Sequence, residues 1–521
     1  MTSAPASVTP LPQKEGTHPI EPDFPVFARL YEEGVPQVAW TRLVADLETP
    51  VSAMLKVAHE RPNSFLLESV EGGAARGRYS IIGCEPDLIW RANGDQAEFN
   101  RAPHSDPEGF AQSPVPALAS LRALLAESAI ALPAGLPPMA AGIFGYMGYD
   151  MVRLIEHLPS DRADPLNLPH SILVRPTLIV IFDSVKDEMT VVTPIRPAPG
   201  VSAKAAYARA VDRLNLVLDR LEQPLPHVAE PDLDAAHPEP KPTTSREAYM
   251  AKVARAKEYI AAGDIFQVVL SQRFEAPFTL PSFALYRALR RVNPSPFLYY
   301  LNFGYFAVVG SSPEILVRVR DGKVTIRPIA GTRPRGATFE KDREFAEELL
   351  ADAKERAEHL MLLDLGRNDV GRVAEVGSVR VTDSFFLEYY SQVMHIVSNV
   401  EGKLQPRFDA VDALMAGFPA GTVSGAPKVR AMEIIDELED EARGLYAGCV
   451  GYFSADGEMD SCIVLRTSVV KDGVMHVQAG AGIVADSVPE REQAECVSKA
   501  GALFKAADEA VRFASRAKRG Q

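Results

Sequence analysis

The run ILVRVRDGKVTI, residues 315–326, alternates apolar and polar side chains on both sides of Asp321-Gly322. Such alternation puts every second side chain on one face of a strand. Asp-Gly tolerates the positive φ angles of a two-residue hairpin turn. The run therefore reads as a β-hairpin. The pattern recurs in SCIVLRTSVVKDGVMHVQAG, residues 461–480, around Asp472-Gly473, with Asp456-Gly457 ahead of it. Residues 448–480 are accordingly expected to form a three-stranded meander. Further upstream, IWRANGDQAEF (89–99) turns at Asn93-Gly94, and LIVIFDSVKDEMTVV (178–192) is a second hairpin. Helices lie between these strands. Thr244 and Glu247 read as a capping box for a helix that buries Tyr249, Val253, Ala256 and Ile260 and stops at Gly263. Residues 340–365 read as one longer helix, and Ser487 with Glu490 as the cap of the last. Runs of hairpins with interspersed helices imply an α+β fold and exclude a doubly wound parallel sheet.

The 521 residues are 46% hydrophobic and 24% charged, an ordinary globular composition with enough apolar material for a core. With 55 basic against 69 acidic residues the net charge is −14, which argues against a nucleic-acid partner. Four scattered cysteines, Cys84, Cys449, Cys462 and Cys496, imply a reducing compartment and neither a disulfide framework nor a zinc site. No run is long and apolar enough for a membrane span, and residues 1–24 lack the pattern of a leader. A cytoplasmic location is expected. Residues 1–24, with five prolines, read as a flexible tail, and residues 223–244, with six, as a linker. These divide the chain into an N-terminal part, 25–222, and a C-terminal part, 245–515.

Several constellations could carry chemistry. Glu355 and Glu358 lie three apart on one expected helix, and Glu492 and Glu495 on another. Two such faces opposed would make an oxygen-rich site suited to Mg²⁺. The spacing also fits ordinary salt pairs, Lys354 with Glu358 and Glu495 with Lys499. GAGIVA (480–485) matches a dinucleotide fingerprint, but no helix opens on its glycines. FPAGTVSGAPK (418–428) is a glycine-rich turn before a helix, only loosely like a phosphate loop. His395 sits in an alternating strand pattern, where a histidine is usually a packed core residue. Arg466, also on a strand, could clamp a carboxylate with two parallel bonds.

Read together, these segments have a known order: GDIFQVVLSQRF (263–274), NPSPFLYYL (293–301), GSSPEIL (310–316), PIAGTRPRG (328–336), EHLMLLDLGRND (358–369), FPAGTVSGAPKVRAMEII (418–435), GYF (451–453), IVLRT (463–467) and QAGAGIV (478–484). The chain resembles the chorismate-utilising enzymes, most closely the large subunits of anthranilate synthases, and LLESVEGG…GRYSIIG (66–83) extends the likeness towards the N-terminus. The resemblance implies two large antiparallel sheets packed face to face with helices outside. It implies Mg²⁺ held by Glu358 and Glu495, with Glu355 and Glu492 nearby or acting through water. Chorismate would lie against Gly331, Thr332, Thr422, Tyr452, Arg466, the Gly480-Ala481-Gly482 backbone and Lys499. Glu314 is the implied general acid, because a hydroxide leaving group must be protonated. His395 would serve the elimination of pyruvate as base or orienting group, beside Thr332.

Two positions separate the relatives. Isochorismate and salicylate synthases resemble this chain but carry a lysine at the place of Gln267, where it activates water. Many aminodeoxychorismate synthases carry a nucleophilic lysine at the place of Ala330. Glutamine cannot be that base and alanine cannot form an adduct, so the resemblance implies anthranilate as product, with aminodeoxychorismate the alternative. Ammonia would come from a separate glutamine amidotransferase subunit in a two-plus-two assembly, because no cysteine here lies in a glutaminase motif. Glu68, Ser69, Arg78, Pro296, Phe297 and Leu298 would bind tryptophan as feedback inhibitor.

Overall fold

The structure is a computed structural model that describes residues 18–58, 61–69, 77–159, 162–226, 239–390 and 393–515. Most of the expected tail, and residues 227–238 of the expected linker, lie outside these residues. The α+β class is as expected, and every strand pair is antiparallel.

Two long strands, Tyr79–Asn93 and Ser171–Asp183, organise the fold. They run side by side from Tyr79↔Asp183 to Ala92↔Ser171. Their two ends recruit different neighbours. At one end Ser64–Ser69 and Glu188–Ile195 flank the pair. At the other, Gln96–Asn100 and Gly142–Met147 do so. The register shifts between Pro86 and Leu88, and Glu85 has a φ of 52°. Proline has no N–H to give the ladder, so this is where the pair can bulge and bend. The result is two sheets that share a pair of strands, and all 22 strands among the described residues join in one hydrogen-bonded network.

The first sheet continues from Ser64–Ser69 through Phe297–Asn302, Phe306–Ser312, Thr467–Lys471, Val474–Ile483 and Gln267–Pro277. The second continues from Gly142–Met147 through Cys449–Ser454, Met459–Ile463, Ile315–Arg320, Lys323–Ile326 and Val393–Lys403. Strands from before and after the proline-rich stretch therefore meet edge to edge in both sheets, Ser64–Ser69 against Phe297–Asn302 in the first and Gly142–Met147 against Cys449–Ser454 in the second. Between the sheets lies an apolar layer that includes Phe65, Ile81, Phe144, Tyr299, Val450 and Val469. Phe65 and Phe144 stack across it at 4.7 Å. Truncating a buried ring of this kind costs about 3–5 kcal/mol. The helices Ala203–Leu221, Ser282–Val292 and Pro489–Ser515 cover the outer face of the first sheet, and Ala117–Ser128, Ala353–Gly371 and Ala410–Gly417 that of the second.

The expected meander over 448–480 does not form. Cys449–Ser454 and Met459–Ile463 pair in the second sheet, whereas Thr467–Lys471 and Val474–Ile483 pair in the first. The chain changes sheets at 464–466. Period-two alternation is satisfied in either sheet, so it cannot tell which neighbour a strand takes. The expected helix 340–365 is two helices, Phe339–Ala351 and Ala353–Gly371. Asp352 between them is extended, and its carboxylate accepts from Lys354 N and Glu355 N at 2.9 and 3.2 Å. It ends one helix and starts the next in a new direction. The helix Arg246–Ala262 is capped by Ser245, one residue beyond Thr244, and ends as expected at Gly263 with a φ of 87°. Ser487 accepts from Val484 N at 3.0 Å; its expected capping role passes to that turn.

Candidate active site

The candidate site lies where the chain passes between sheets. Strand Phe306–Ser312 of the first sheet becomes Ile315–Arg320 of the second across Pro-Glu, and Met459–Ile463 of the second becomes Thr467–Lys471 of the first across Val-Leu-Arg. The two crossings are stitched together. Ile463 N donates to Glu314 O at 3.0 Å, and Ser311 N to Arg466 O at 3.2 Å. Glu314 and Arg466 are thus delivered to one seam by residues that no longer run in a sheet.

Glu314 is 6% exposed, and Thr422 Oγ1 donates to its Oε1 at 3.0 Å. Burial pushes its carboxyl up to about 8, against the smaller opposing pull of the Thr422 hydrogen bond. At neutral pH it is a protonated acid. Arg466 has a φ of 48°, and burial pulls its guanidinium below the usual arginine range. Among the described residues no carboxylate pairs with it. A desolvated, unpaired cation is unfavourable until an anion arrives.

His395 lies opposite Thr332 across the pairing of Ile329–Pro334 with Val393–Lys403. Its Nδ1 is 3.1 Å from Thr332 Oγ1 and 3.0 Å from Gly331 O. A carbonyl only accepts, so the Nδ1 proton goes to Gly331 O and the neutral ring keeps a lone pair on Nε2. Burial holds the ring down at about 4, so it is neutral at pH 7. Gly331 has a φ of 69°, and a Cβ there would meet Leu349 Cδ1 at 3.1 Å and Glu355 Oε2 at 3.2 Å. Only glycine fits this turn.

The four expected metal glutamates are brought into one neighbourhood. Glu358 is pushed up by burial, then by Glu355, with Glu495 adding to it. Glu492 is pushed up by burial, and Glu495 again adds. Gln267 Nε2 donates to Glu358 Oε1 at 3.1 Å. Arg333 Nη1 holds Glu355 at 2.9 Å, and Lys499 Nζ holds Glu495 at 2.8 Å and Gly480 O at 2.9 Å. Among the described residues no three His, Cys, Asp or Glu converge into a ready metal cage. Crowded carboxylates, two of them already paired with basic residues, fit an ion that needs one or two protein carboxylates and takes its other oxygens from water and substrate.

Strand Val474–Ile483 passes beside this group with Gly480, Ala481 and Gly482 opposite Ser271, Leu270 and Val269. A Cβ on Gly482 would meet Gln267 Nε2 at 2.6 Å, and one on Gly480 would meet the Tyr446 hydroxyl at 2.6 Å. Tyr446 is therefore a wall of the site that the sequence reading missed. Tyr452 is not brought here. Its ring lies in the layer between the sheets, 5.5 Å from Phe144, and its hydroxyl accepts from Arg320 at 3.3 Å. Tyr390 was also missed; its buried ring stands edge-on to His395.

The expected tryptophan residues are assembled by strand register: Phe297 faces Ser69 and Leu298 faces Glu68, next to Pro296. Glu68 accepts from Arg290 Nε at 2.7 Å and Nη2 at 3.0 Å, and also from the Tyr286 hydroxyl. Arg78 is held by Asp183 at 2.9 Å. A Cβ on Gly77, beside it, would meet Ser69 O at 2.1 Å, so Arg78 stands at the end of the Ser69 strand.

A family model described as chorismate binding enzyme matches residues 65–505, which contain every site residue above. The chain belongs to the chorismate-binding enzymes. Within this family, anthranilate synthase component 1 of Cereibacter sphaeroides is 56% identical over 497 residues, spanning 95% of this chain and 99% of that protein. The component 1 of Pseudomonas putida is 49% identical, over 89% and 93%. Among solved structures, anthranilate synthase component I from Streptococcus pneumoniae superposes with a TM-score of 0.72 at 36% identity, covering 89% of this chain and 98% of that one. The likeness to the chorismate-utilising enzymes expected from the motifs is thus shown. No described helix is long and apolar enough to cross a membrane.

Proposed function

We propose that this chorismate-binding enzyme is the large subunit of an anthranilate synthase, adding ammonia at C2 of chorismate, losing the C4 hydroxyl as water and eliminating pyruvate. The observation that carries this reading is the 56% identity to a component 1 over almost the whole of both chains. The site is consistent with it. Position 267 is a glutamine with its amide committed to Glu358, and position 330 is an alanine. Neither can serve as the lysine of the rival chemistries.

The residues then have these roles. Glu314, neutral at pH 7, donates its proton to the departing C4 oxygen. Thr422 orients that carboxyl. Arg466 takes a substrate carboxylate, with Lys499 and the Gly480–Gly482 backbone beside it. His395 Nε2 accepts the C2 proton as the enolpyruvyl group leaves; neutralising Arg466 with a substrate anion relieves one of the influences that depress the imidazole. Mg²⁺ would be held by Glu358 and Glu495, with Glu355 and Glu492 close by, and would neutralise the ring carboxylate of chorismate. All four cysteines are buried and none lies in a glutaminase motif, which favours a separate amidotransferase subunit as ammonia source, in a two-plus-two assembly. Tryptophan would act at Ser69, Arg78 and Pro296–Leu298, on the frame that Glu68 holds.

The test is a coupled assay on the purified chain with chorismate, Mg²⁺ and ammonium at alkaline pH. Equal anthranilate and pyruvate, abolished by Glu358→Ala and suppressed by tryptophan, is the expected result. Chorismate consumed without pyruvate would point to an aminodeoxychorismate product and overturn the reading. Full turnover without Mg²⁺ would remove the metal assignment.

A further inference from the structure

Strand Arg380–Tyr389 and the following residue place two aromatic rings against two histidines. Phe385 stands edge-on to His359, centroids 4.8 Å apart, and Tyr390 edge-on to His395, 5.4 Å apart at 61°. The first pair is core: His359 is fully buried with Nε2 at 2.6 Å from Ser398 Oγ. The second differs in two respects. His395 Nε2 has no hydrogen-bond partner among the described residues, while Nδ1 is held by Gly331 and Thr332. Tyr390 carries a hydroxyl that donates to Glu388 Oε2 at 2.6 Å, and Glu388 Oε1 pairs with Arg327. Glu388 is itself the cross-strand partner of His395.

Phenylalanine serves the same strand at 385 and 386, so packing alone would not require a hydroxyl here with a half-buried carboxylate accepting from it. Tyr390 is further fixed through its backbone, with its N–H on Val393 O at 2.8 Å and Arg335 Nη1 on its carbonyl at 2.7 Å. The ring is thus tethered at both ends.

The geometry points to Tyr390 as a positioning residue that acts through His395, its ring setting the plane of the imidazole while the Glu388–Arg327 pair anchors its hydroxyl. Gly331 and Thr332 fix one ring nitrogen but leave rotation about the Nδ1 bonds. The Tyr390 edge removes that freedom and keeps Nε2 aimed at the substrate. This rests on the elimination role of His395 proposed above. A misaimed imidazole should slow pyruvate release more than ammonia addition.

The test compares Tyr390→Phe, Tyr390→Leu and His395→Asn in the full chain, with chorismate consumption and pyruvate release measured in the same reaction. The expected result is a ratio of pyruvate to consumed chorismate that falls about tenfold for Tyr390→Phe, as for loss of one hydrogen bond to a charged group. It should fall further for Tyr390→Leu, with the KM for chorismate unchanged in both. If Tyr390→Leu does not fold, the Phe variant carries the test alone. A ratio that stays at one in both tyrosine variants while His395→Asn lowers it overturns the positioning role only. A ratio that stays at one in all three removes the elimination role of His395, and this proposal with it. A KM that rises in step with the rate loss assigns Tyr390 to substrate binding and also overturns it.

Discussion

Glu68 and Arg466 are both largely buried charges at strand ends, and they differ in what surrounds them. Glu68 is saturated: both oxygens accept from Arg290, and Tyr286 adds a third donor. Arg466 has no carboxylate partner among the described residues, and beside it Glu314 is held neutral by burial. A saturated charge holds its neighbours together, here the strand Ser64–Ser69 against the helix Ser282–Val292. An unsaturated one stores electrostatic free energy that a ligand releases. The first region is a frame, and the second awaits a substrate.

The contrast is sharpest at Glu314. Glu314→Gln removes the proton donor and keeps the shape, so kcat should fall on the order of a thousandfold. Glu314 also gives the opposite sign in stability. Its folded value of about 8 lies above that of an unfolded glutamate, so its neutral form is favoured in the fold and stability is lost as pH rises from about 4.5 to 8. Glu314→Gln should therefore be more stable than the parent at pH 7, by on the order of 3 kcal/mol and with a higher unfolding temperature, and this advantage should vanish at pH 4.5. A variant less stable than the parent at pH 7 would break the comparison.

Arg466→Lys keeps the charge but loses the planar fork. The KM for chorismate should rise about a hundredfold, with thermal stability unchanged or improved. Glu68→Gln should do the reverse. It breaks a saturated ion pair and should lower stability by about 2 kcal/mol while ammonia-dependent turnover survives. Loss of turnover with intact stability would show that Glu68 belongs to the reaction. The smallest effect concerns Thr422, whose hydrogen bond pulls Glu314 down. At constant free ammonia, the rate should fall as pH rises through about 8, because the acid must be protonated. Thr422→Val should move that midpoint upward by a fraction of a unit.

Legibility follows the range of the interactions. The hairpin turns at Asn93-Gly94 and Asp321-Gly322 were readable because positive φ is a local steric matter, and Gly94, Asp321 and Gly322 carry it, as do Asp472 and Gly473. The glutamate pairs were readable because helical spacing puts them on one face. The pairing of Glu495 with Lys499 was readable for the same reason, whereas Arg333 becomes a partner of Glu355 only once helix and strand are packed. Tyr446 and Tyr390 were invisible for the same reason: nothing within a few residues of either marks it, and each matters through a glycine or a histidine on another strand. Tyr452 was misplaced because a strand's alternation states that two faces exist and not which of them meets the site.

By itself the amino-acid sequence determined the local grammar: antiparallel hairpins, the helix stop at Gly263, the acidic balance, and the ordered motifs of the chorismate-binding enzymes. Sterics of single turns and the spacing of side chains suffice for these. Only the tertiary structure decided which sheet each strand joins, that Glu314 and Arg466 meet at two stitched crossings, and that one carboxyl is neutral while one guanidinium lacks a partner. Those properties come from desolvation, which depends on everything packed around a group and on nothing its neighbours in sequence can fix.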